Sequence, residues 1–168
     1  MGEEGYPYEI ESQWRVLGAI GDVYAVLTDA AALPRWWPAA YSKVAVVAEG
    51  DPATGAGRVT DIVTRGVLPY DVTWRLEVLE TRAPELIRVK ASGDVIGLGT
   101  WRLKLSDGAV ELSYLWRVRV GKPWMRMFER LLKPVFVWNH NFVMRRGEQG
   151  LRAELSRRAV RPQGPPLS

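Results

Sequence analysis

The amino-acid sequence predicts an α+β fold, in which a curved antiparallel sheet of about seven strands wraps around a long C-terminal helix. Apolar and polar side chains alternate near the N-terminus and again between residues 44 and 120, as they do in half-buried strands. After Pro123 the apolar residues recur at helical spacing as far as about Arg158. Short turns join most of the strand segments, which favours neighbours that run antiparallel.

The N-terminal part of the chain combines one strand with two short helices. Tyr8 to Val16 alternates between apolar and mostly charged positions, which predicts a strand with one solvent-exposed face. From Ile20 to Leu27 the apolar residues change to helical spacing. A second short helix is predicted from Ala30 to Trp36, and Pro38 ends it.

Six further strands follow with the period-two pattern. Turn residues such as Gly50-Asp51-Pro52 and Asp107-Gly108 separate them. The predicted strands are Val44–Glu49, Arg58–Arg65, Tyr70–Val78, Leu86–Ser92, Gly99–Leu105 and Val110–Val120.

The C-terminal helix carries one stripe that we expect to face the sheet. We also expect a kink or a division into two helical pieces at Pro134. Residues 161–168 are rich in proline and are expected to be flexible. The chain is therefore predicted to be a single domain over residues 1–168, with an ordered core from about 6 to 158. The stripe residues are Phe128, Leu131, Leu132, Val135, Asn139, Phe142, Arg146, Gln149 and Ala153.

Composition excludes several classes of enzyme. The 168 residues include no Cys, one His and eight Trp. Without Cys, the chain cannot hold a zinc–thiolate site, an iron–sulfur cluster or a disulfide. Gly93, Gly97 and Gly99 lead into a strand rather than a helix, so they do not form a dinucleotide-binding motif. Because the acidic residues are scattered as well, we expect neither a metal nor a cofactor.

Charge is unevenly distributed along the chain. Residues 117–168 carry 12 basic and 3 acidic side chains, a net of +9. An arginine-rich solvated face is the simplest explanation, and transient docking on an anionic membrane surface is an alternative. The sequence has no nucleic-acid-binding motif, so no nucleic-acid partner is expected. It has neither a secretory leader nor an apolar run of the roughly 18–20 residues that span a bilayer, which predicts a cytoplasmic location.

Polar residues on the predicted inward stripe are candidates for a binding site. Asn139 and Arg146 are seven residues apart on it, and burial of either one requires a partner. They either anchor a ligand carboxylate or carbonyl, or tie the helix to the sheet through Asp61 or Asp71. His140 lies roughly 120° from the stripe centre. We therefore expect it on a flank, in a supporting role rather than as a catalyst.

Tryptophan is the most over-represented residue type, and its positions indicate a pocket. Trp14, Trp74, Trp101 and Trp116 fall on the inward phase of their strands, and Trp138 lies at the edge of the helical stripe. Large, flat side chains of this kind either fill a core or line an apolar cavity. We expect half of them to line a pocket.

Several short motifs, in their order along residues 6–158, resemble the helix-grip superfamily. This superfamily includes the START lipid-transfer domains and the birch-pollen-allergen-like proteins, and the chain looks most like its bacterial polyketide cyclase/dehydrase-like branch. The resemblance implies a helix-grip fold with a deep pocket beneath the terminal helix for an apolar or amphipathic small molecule. The motifs are Asp29 with Leu33, Arg35 and Trp36-Trp37-Pro38; Leu68-Pro69-Tyr70 with Trp74; Gly93-Asp94 with Gly97, Gly99 and Trp101; Tyr114 with Trp116; and Trp138-Asn139-His140 with Gly150-Leu151.

Three hypotheses about function follow. The first is binding, transport or sequestration of a lipid, quinone or polyketide-like molecule in a Trp-lined cavity whose entrance is gated by Trp36-Trp37. The second is an aromatase/cyclase or dehydratase, with Tyr70 or Tyr114 as proton donor and Arg146 holding an enolate. The third is a module that collects lipid while docked on an anionic membrane. The predicted ligand-binding residues are Trp14, Trp37, Tyr70, Trp74, Trp101, Tyr114, Trp116, Asn139, Phe142 and Arg146.

Overall fold

The computed structural model describes residues 5–65, 70–123, 127 and 129–160. The predicted motif residues Leu68 and Pro69, the stripe residue Phe128, the side chain of Leu132 and the segment 161–168 lie outside this part. The elements are β1 (Tyr8–Leu17), α1 (Ile20–Thr28), a 3₁₀ turn (Ala30–Ala32), α2 (Leu33–Trp36), β2 (Lys43–Ala48), β3 (Val59–Thr64), β4 (Val72–Arg82), β5 (Leu86–Gly93), β6 (Val95–Ser106), β7 (Ala109–Val120) and α3 (Glu129–Val160).

All seven strands form one antiparallel sheet in the order β1-β7-β6-β5-β4-β3-β2. Strands β2 to β7 follow one another as a meander, and β1 then pairs with β7 from Tyr8↔Val118 to Leu17↔Ala109. At the β6–β7 hairpin, Asp107 and Gly108 both have positive φ, as a two-residue turn between twisted strands requires. The predicted α+β architecture, with its curved sheet and long C-terminal helix, is confirmed.

The core lies between the concave face of the sheet and the helices. Val23 and Val26 of α1 are fully buried, as are Val16 of β1 and Leu112 of β7. The predicted alternation in β1 is therefore correct, because its charged positions point to solvent. No helix in the described part of the chain is long and apolar enough to cross a membrane.

The face that α3 presents to the sheet is not the predicted one. Met144, Gly147 and Leu151 are buried, whereas the stripe residues Leu131 and Val135 are exposed. Gln149, Arg146 and Ala153 are also exposed. The true inward face is rotated by roughly 120° from the predicted stripe.

Two helical glycines explain this rotation. A Cβ atom at Gly147 would lie 2.7 Å from Cη2 of Trp14 and would collide with the indole of Trp37. One at Gly150 would collide with the carbonyl oxygen of Trp36. Helix α3 turns its smallest residues inward because the bulk of the indoles already fills that space. A pattern based on hydrophobicity alone gives glycine no weight and therefore selects another face.

Helix α3 runs without interruption from Glu129 to Val160, so of the two alternatives at Pro134 the division into two pieces is wrong, and the kink stays a prediction. Near its C-terminal end a buried carboxylate fixes it to the N-terminal helices. The side chain of Glu154 is 2% exposed and accepts hydrogen bonds from Arg35 at 2.6 Å, Arg157 at 2.7 Å and Arg158 at 2.9 Å. Arg158 also pairs with Asp29 at 2.9 Å. The arginines hold the pKa of Glu154 far below its usual range, although burial acts in the opposite direction.

Candidate functional site

A cavity of about 210 Å³ lies between the N-terminal half of α3 and the sheet. The helix contributes Phe136, Asn139, His140, Val143 and Met144 to its wall. Apolar residues dominate the rest of the lining. From the remaining elements and loops these include Tyr8, Ile10, Trp37, Ala40, Tyr41, Tyr70, Val72, Trp74, Tyr114, Trp116 and Val118.

Six aromatic side chains, five of which line this cavity, contact one another in a closed circuit. The strand register brings two of these side chains together, because Trp101 of β6 lies directly opposite Tyr114 of β7. Their rings stack with centroids 4.4 Å apart. We call the set the aromatic ring. Its successive centroid distances are Trp101–Tyr114 4.4 Å, Tyr114–Trp116 5.7 Å, Trp116–Trp74 6.3 Å, Trp74–Tyr41 6.1 Å, Tyr41–Trp37 5.3 Å and Trp37–Trp101 6.3 Å.

Hydrogen bonds hold two of the indoles in place. Nε1 of Trp37 donates to the carbonyl oxygen of Val143 at 2.8 Å, an approach that Gly147 makes sterically available. Nε1 of Trp74 donates to Oγ1 of Thr64 at 2.8 Å, and this hydroxyl donates in turn to the carbonyl of Ala40. Both indole N–H groups are satisfied by the protein, so these rings offer apolar surface to the cavity.

A second cavity, of about 380 Å³, lies on the other side of Tyr41 and Tyr114. Tyr24 and Leu27 of α1 contribute to its wall, and so does Trp101. Tyr41 and Tyr114 border both cavities. Neither hydroxyl has a hydrogen-bond partner among the described residues. Burial raises the pKa of both phenols, and that of Tyr114 is raised further by the neighbouring Tyr41, so both stay protonated and can donate.

His140 is the most informative polar group in the first cavity. Its Nε2 lies 3.1 Å from Oγ of Ser12 on β1. Burial lowers the pKa of His140 to about 4, so the imidazole is neutral near neutral pH. The expected position on a flank of the helix is wrong, because the inward face is rotated and His140 lies on it.

The mouth of the cavity is polar. Lys122 Nζ lies 3.1 Å from Asp94 Oδ2 and 5.7 Å from the centroid of the Tyr70 ring. Burial raises the pKa of Tyr70, and the charge of Lys122 opposes that rise. Asp94 Oδ2 also accepts a hydrogen bond from the backbone N–H of Thr73, and Arg119 lines the same end of the cavity.

The sequence matches a family model described as polyketide cyclase/dehydrase and lipid transport over residues 12–156. The chain belongs to the polyketide cyclase/dehydrase and lipid transport family. The helix-grip resemblance of its motifs is thereby confirmed. No curated protein sequence matches this family member.

Solved structures share the fold of this polyketide cyclase/dehydrase family member at low sequence identity. A protein from Thermus thermophilus has 16% identity and a TM-score of 0.70, covering 88% of this chain and 99% of its own. A START superfamily protein from Mycobacterium smegmatis has 12% identity and a TM-score of 0.69, covering 89% and 97%. An aromatase/cyclase from a Streptomyces species has 19% identity and a TM-score of 0.65, covering 94% and 98%.

In this family member, six of the ten predicted ligand-binding residues line the first cavity. The prediction found the aromatic strand residues because their period-two pattern assigns them to the concave face. It missed His140 and Phe136 because the helical phase was wrong. It also missed Tyr41, which lies between α2 and β2, outside any periodic segment. The six are Trp37, Tyr70, Trp74, Tyr114, Trp116 and Asn139.

The other four predicted residues lie elsewhere. Trp14 is core, with its ring 4.9 Å from that of Trp101, which borders the second cavity instead. Phe142 and Arg146 are outside both cavities, and the Arg146 guanidinium stands over the Phe142 ring at 5.5 Å. Arg146 is exposed because the inward face of α3 is rotated away from it.

Three further expectations are wrong: the role of Trp36 and Trp37, the ion-pair partners of Asp61 and Asp71, and the position of Trp138. Trp36 and Trp37 are buried beneath α3 and do not gate an entrance. Asp61 and Asp71 pair on the sheet surface with Arg75 and Arg65, rather than with residues of the helix. Trp138, expected at the edge of the inward stripe, is 58% exposed. Among the described residues no three His, Asp or Glu side chains are grouped as metal ligands would be.

Proposed function

We propose that this protein binds an apolar small molecule bearing at least one oxygen function in the cavity beneath α3. The aromatic ring carries this proposal, because five of its six rigid, flat side chains line the first cavity and the sixth, Trp101, borders the second. Membership of the polyketide cyclase/dehydrase and lipid transport family supports it, as does the structural likeness to a START superfamily protein. Lipids, quinones and polyketides have this chemistry.

The two cavities suggest an elongated ligand. Small-molecule sites usually enclose about 300–1,000 Å³, which exceeds the 210 Å³ of the first cavity alone. A ligand that passes between Tyr41 and Tyr114 would occupy both spaces. It would also give the two phenol hydroxyls an acceptor, such as a carbonyl or hydroxyl oxygen, which the described protein residues do not supply.

Binding can be tested with the purified full chain. Native mass spectrometry should detect a co-purifying apolar compound, and the uncharged fluorophore N-phenylnaphthylamine should bind with an increase in emission. Val118 lines the first cavity, so Val118→Trp should fill it and weaken probe binding at least about tenfold while the fold is retained. Val47→Trp is the matched control, because Val47 is exposed on β2. Equal probe binding by the two variants would contradict the proposal.

Catalysis of a cyclisation is a second candidate, favoured by the neutral His140 in the cavity wall. When Nε2 donates to Ser12, Nδ1 carries the lone pair and is able to accept a proton from a carbon between two carbonyl groups. The hydroxyl of Tyr70 or Tyr114 would then donate to the enolate oxygen. An aromatase/cyclase among the structural neighbours agrees with this candidate.

The cyclisation candidate is tested by incubating a linear poly-β-ketone with the wild type and with His140→Ala. The wild type should change the distribution of cyclised products, and the variant should restore that of the spontaneous reaction. Tyr6→Phe, at a residue that lines neither cavity, is the control for general damage. If the products are the same with and without wild-type protein, the protein is a binder and not a cyclase for that substrate.

A further inference from the structure

The outer face of α3 carries an apolar stripe that no other described part of the chain covers. Met127 is 76% exposed, Leu131 74%, Val135 40% and Trp138 58%. Leu131, Val135 and Trp138 are four and three residues apart, which places them along one side of α3, and Met127 precedes Leu131 by four residues, just before α3 begins. Trp138 stacks on the half-buried Phe142 with centroids 6.2 Å apart, which extends the surface by a turn. We call these five residues the outer stripe.

The outer stripe lies opposite the cavity. Phe136, Asn139 and His140 line the cavity from the same turns of α3 that present Val135 and Trp138 to solvent. By helical geometry the two faces are roughly 130–150° apart. The core of the protein therefore cannot account for the apolar residues on the outside of this segment.

The charge around the outer stripe is mainly positive in sequence. Residues 127–147 contain Arg130, Lys133, Arg145 and Arg146 against a single acidic residue, Glu129. Both Arg145 and Arg146 are exposed. Among the described residues, the ion pairs of α3 all involve positions from Glu148 onward. Lys133, Arg145 and Arg146 are exposed and form no ion pair with another described residue, so they can contact an external anionic partner.

We propose that the outer stripe docks α3 on an anionic lipid bilayer. An amphipathic helix lying in a bilayer surface buries its apolar side among the acyl chains while Trp and Arg remain at the level of the headgroups. A second copy of this chain is the less suitable partner, because a two-fold interface at the stripe would bring the same arginines together. Docking would place the cavity about one helix diameter, roughly 10 Å, from the lipid.

Sedimentation of the full chain with lipid vesicles tests the proposal. The protein should bind vesicles that contain phosphatidylglycerol, bind those of phosphatidylcholine alone much more weakly, and dissociate as salt is raised. Trp138→Glu should abolish binding. Arg145→Gln with Arg146→Gln should weaken it roughly thirtyfold. The matched control, Arg102→Gln with Lys104→Gln on the exposed side of β6, should change it by less than about threefold.

A site-specific label gives a readout that does not depend on the stability of Trp138→Glu. The chain has no Cys, so Leu131→Cys carries a unique environment-sensitive fluorophore, and Leu105→Cys, 59% exposed at the end of β6, is its control. Emission should shift to the blue on anionic vesicles only for the label at Leu131. Three outcomes would overturn the proposal: no vesicle binding, equal shifts at both sites, or a stable dimer that Trp138→Glu dissociates.

Discussion

Nε2 of His140, which lines the first cavity, lies 3.1 Å from Oγ of Ser12, and this contact joins α3 to β1. Ser12 is directly opposite Tyr114 in the β1–β7 ladder, so the contact lies next to the aromatic ring. Residues 128 positions apart in sequence thus hold the single imidazole of the chain in an apolar wall. From this arrangement we predict how stability depends on pH, how ligand is retained and how substitutions in α3 affect its packing.

Acid should destabilise the ligand-free protein as His140 is titrated. Its pKa is about 4 in the folded state and near 6.5 when unfolded. The unfolded chain therefore binds the proton more readily, and stability is lost as pH falls from about 6.5 to 4. The loss over this range should reach about 3 kcal/mol. Denaturant unfolding at several pH values measures it.

His140→Gln is the matched variant for this titration, because its amide can still bond to Ser12. The variant should show a much flatter stability between pH 6.5 and 4. An equally steep decline in both proteins would contradict the assignment of the titration to His140.

Small-to-large substitution on the inward face of α3 should destabilise the fold. Alanine normally stabilises a helix interior by about 1 kcal/mol over glycine. At Gly147 the added methyl group meets two indoles, and at Gly150 it meets a backbone carbonyl. Gly147→Ala and Gly150→Ala should therefore cost about 2 kcal/mol or more in unfolding free energy.

Gly21→Ala in α1 is the control for these glycine variants, because a Cβ there has no neighbour within 4 Å. It should leave stability unchanged or raise it by up to about 1 kcal/mol. Thermal unfolding measures the expected destabilisation of Gly147→Ala and Gly150→Ala and the unchanged or raised stability of Gly21→Ala. Stabilisation by Gly147→Ala would mean that the indoles of Trp14 and Trp37 do not pack against α3.

Removal of the Tyr41 or Tyr114 hydroxyl, between the two cavities, should lower ligand affinity and leave the stability of the fold nearly unchanged. Tyr114→Phe and Tyr41→Phe lose no hydrogen bond to the described residues, so unfolding free energy should change by less than about 1 kcal/mol. Retention of a co-purifying, oxygen-bearing ligand should fall in both variants when it is measured by native mass spectrometry. Tyr6→Phe, at a residue that lines neither cavity, provides the comparison. Unchanged ligand retention in all three variants would contradict a role for the hydroxyl pair.

Neutralisation of Glu154 should loosen the contact between α3 and the N-terminal helices. Its carboxylate is buried, but its three arginine partners are partly exposed, which screens the interaction. We expect Glu154→Gln to cost roughly 2–3 kcal/mol. Glu111→Gln, which removes an exposed pair with Arg15, should cost less than about 1 kcal/mol.

Protonation of the Glu154 carboxylate should cause a second loss of folding stability, at lower pH than that of His140. Its folded pKa is depressed below the unfolded value near 4.5, so its contribution is present above that pH and is lost as pH falls further. This transition begins near pH 4.5, at the lower end of the range in which His140 titrates, and extends below that range. Glu154→Gln should remove this lower transition and leave the upper one, as pH-dependent denaturation can show.

The sequence by itself determined the architecture and the aromatic wall. Alternation in β1 and from β2 to β7 specifies which side of each strand is buried, since a one-residue slip would expose every apolar side chain. Trp74, Tyr114 and Trp116 could therefore be assigned to the concave face before any contact was known. The order of β2 to β7 followed from the short turns of the meander, whereas the pairing of β1 with β7 is seen only in the structure.

Only the tertiary structure decided which side of α3 faces that wall. The helix is apolar on two sides between Leu131 and Met144, so hydrophobic periodicity has two solutions there. The bulk of Trp14, Trp36 and Trp37 selects the side with Gly147 and Gly150, because close packing depends on shape as well as polarity. That choice brings His140 into the cavity and leaves Arg146 in solvent.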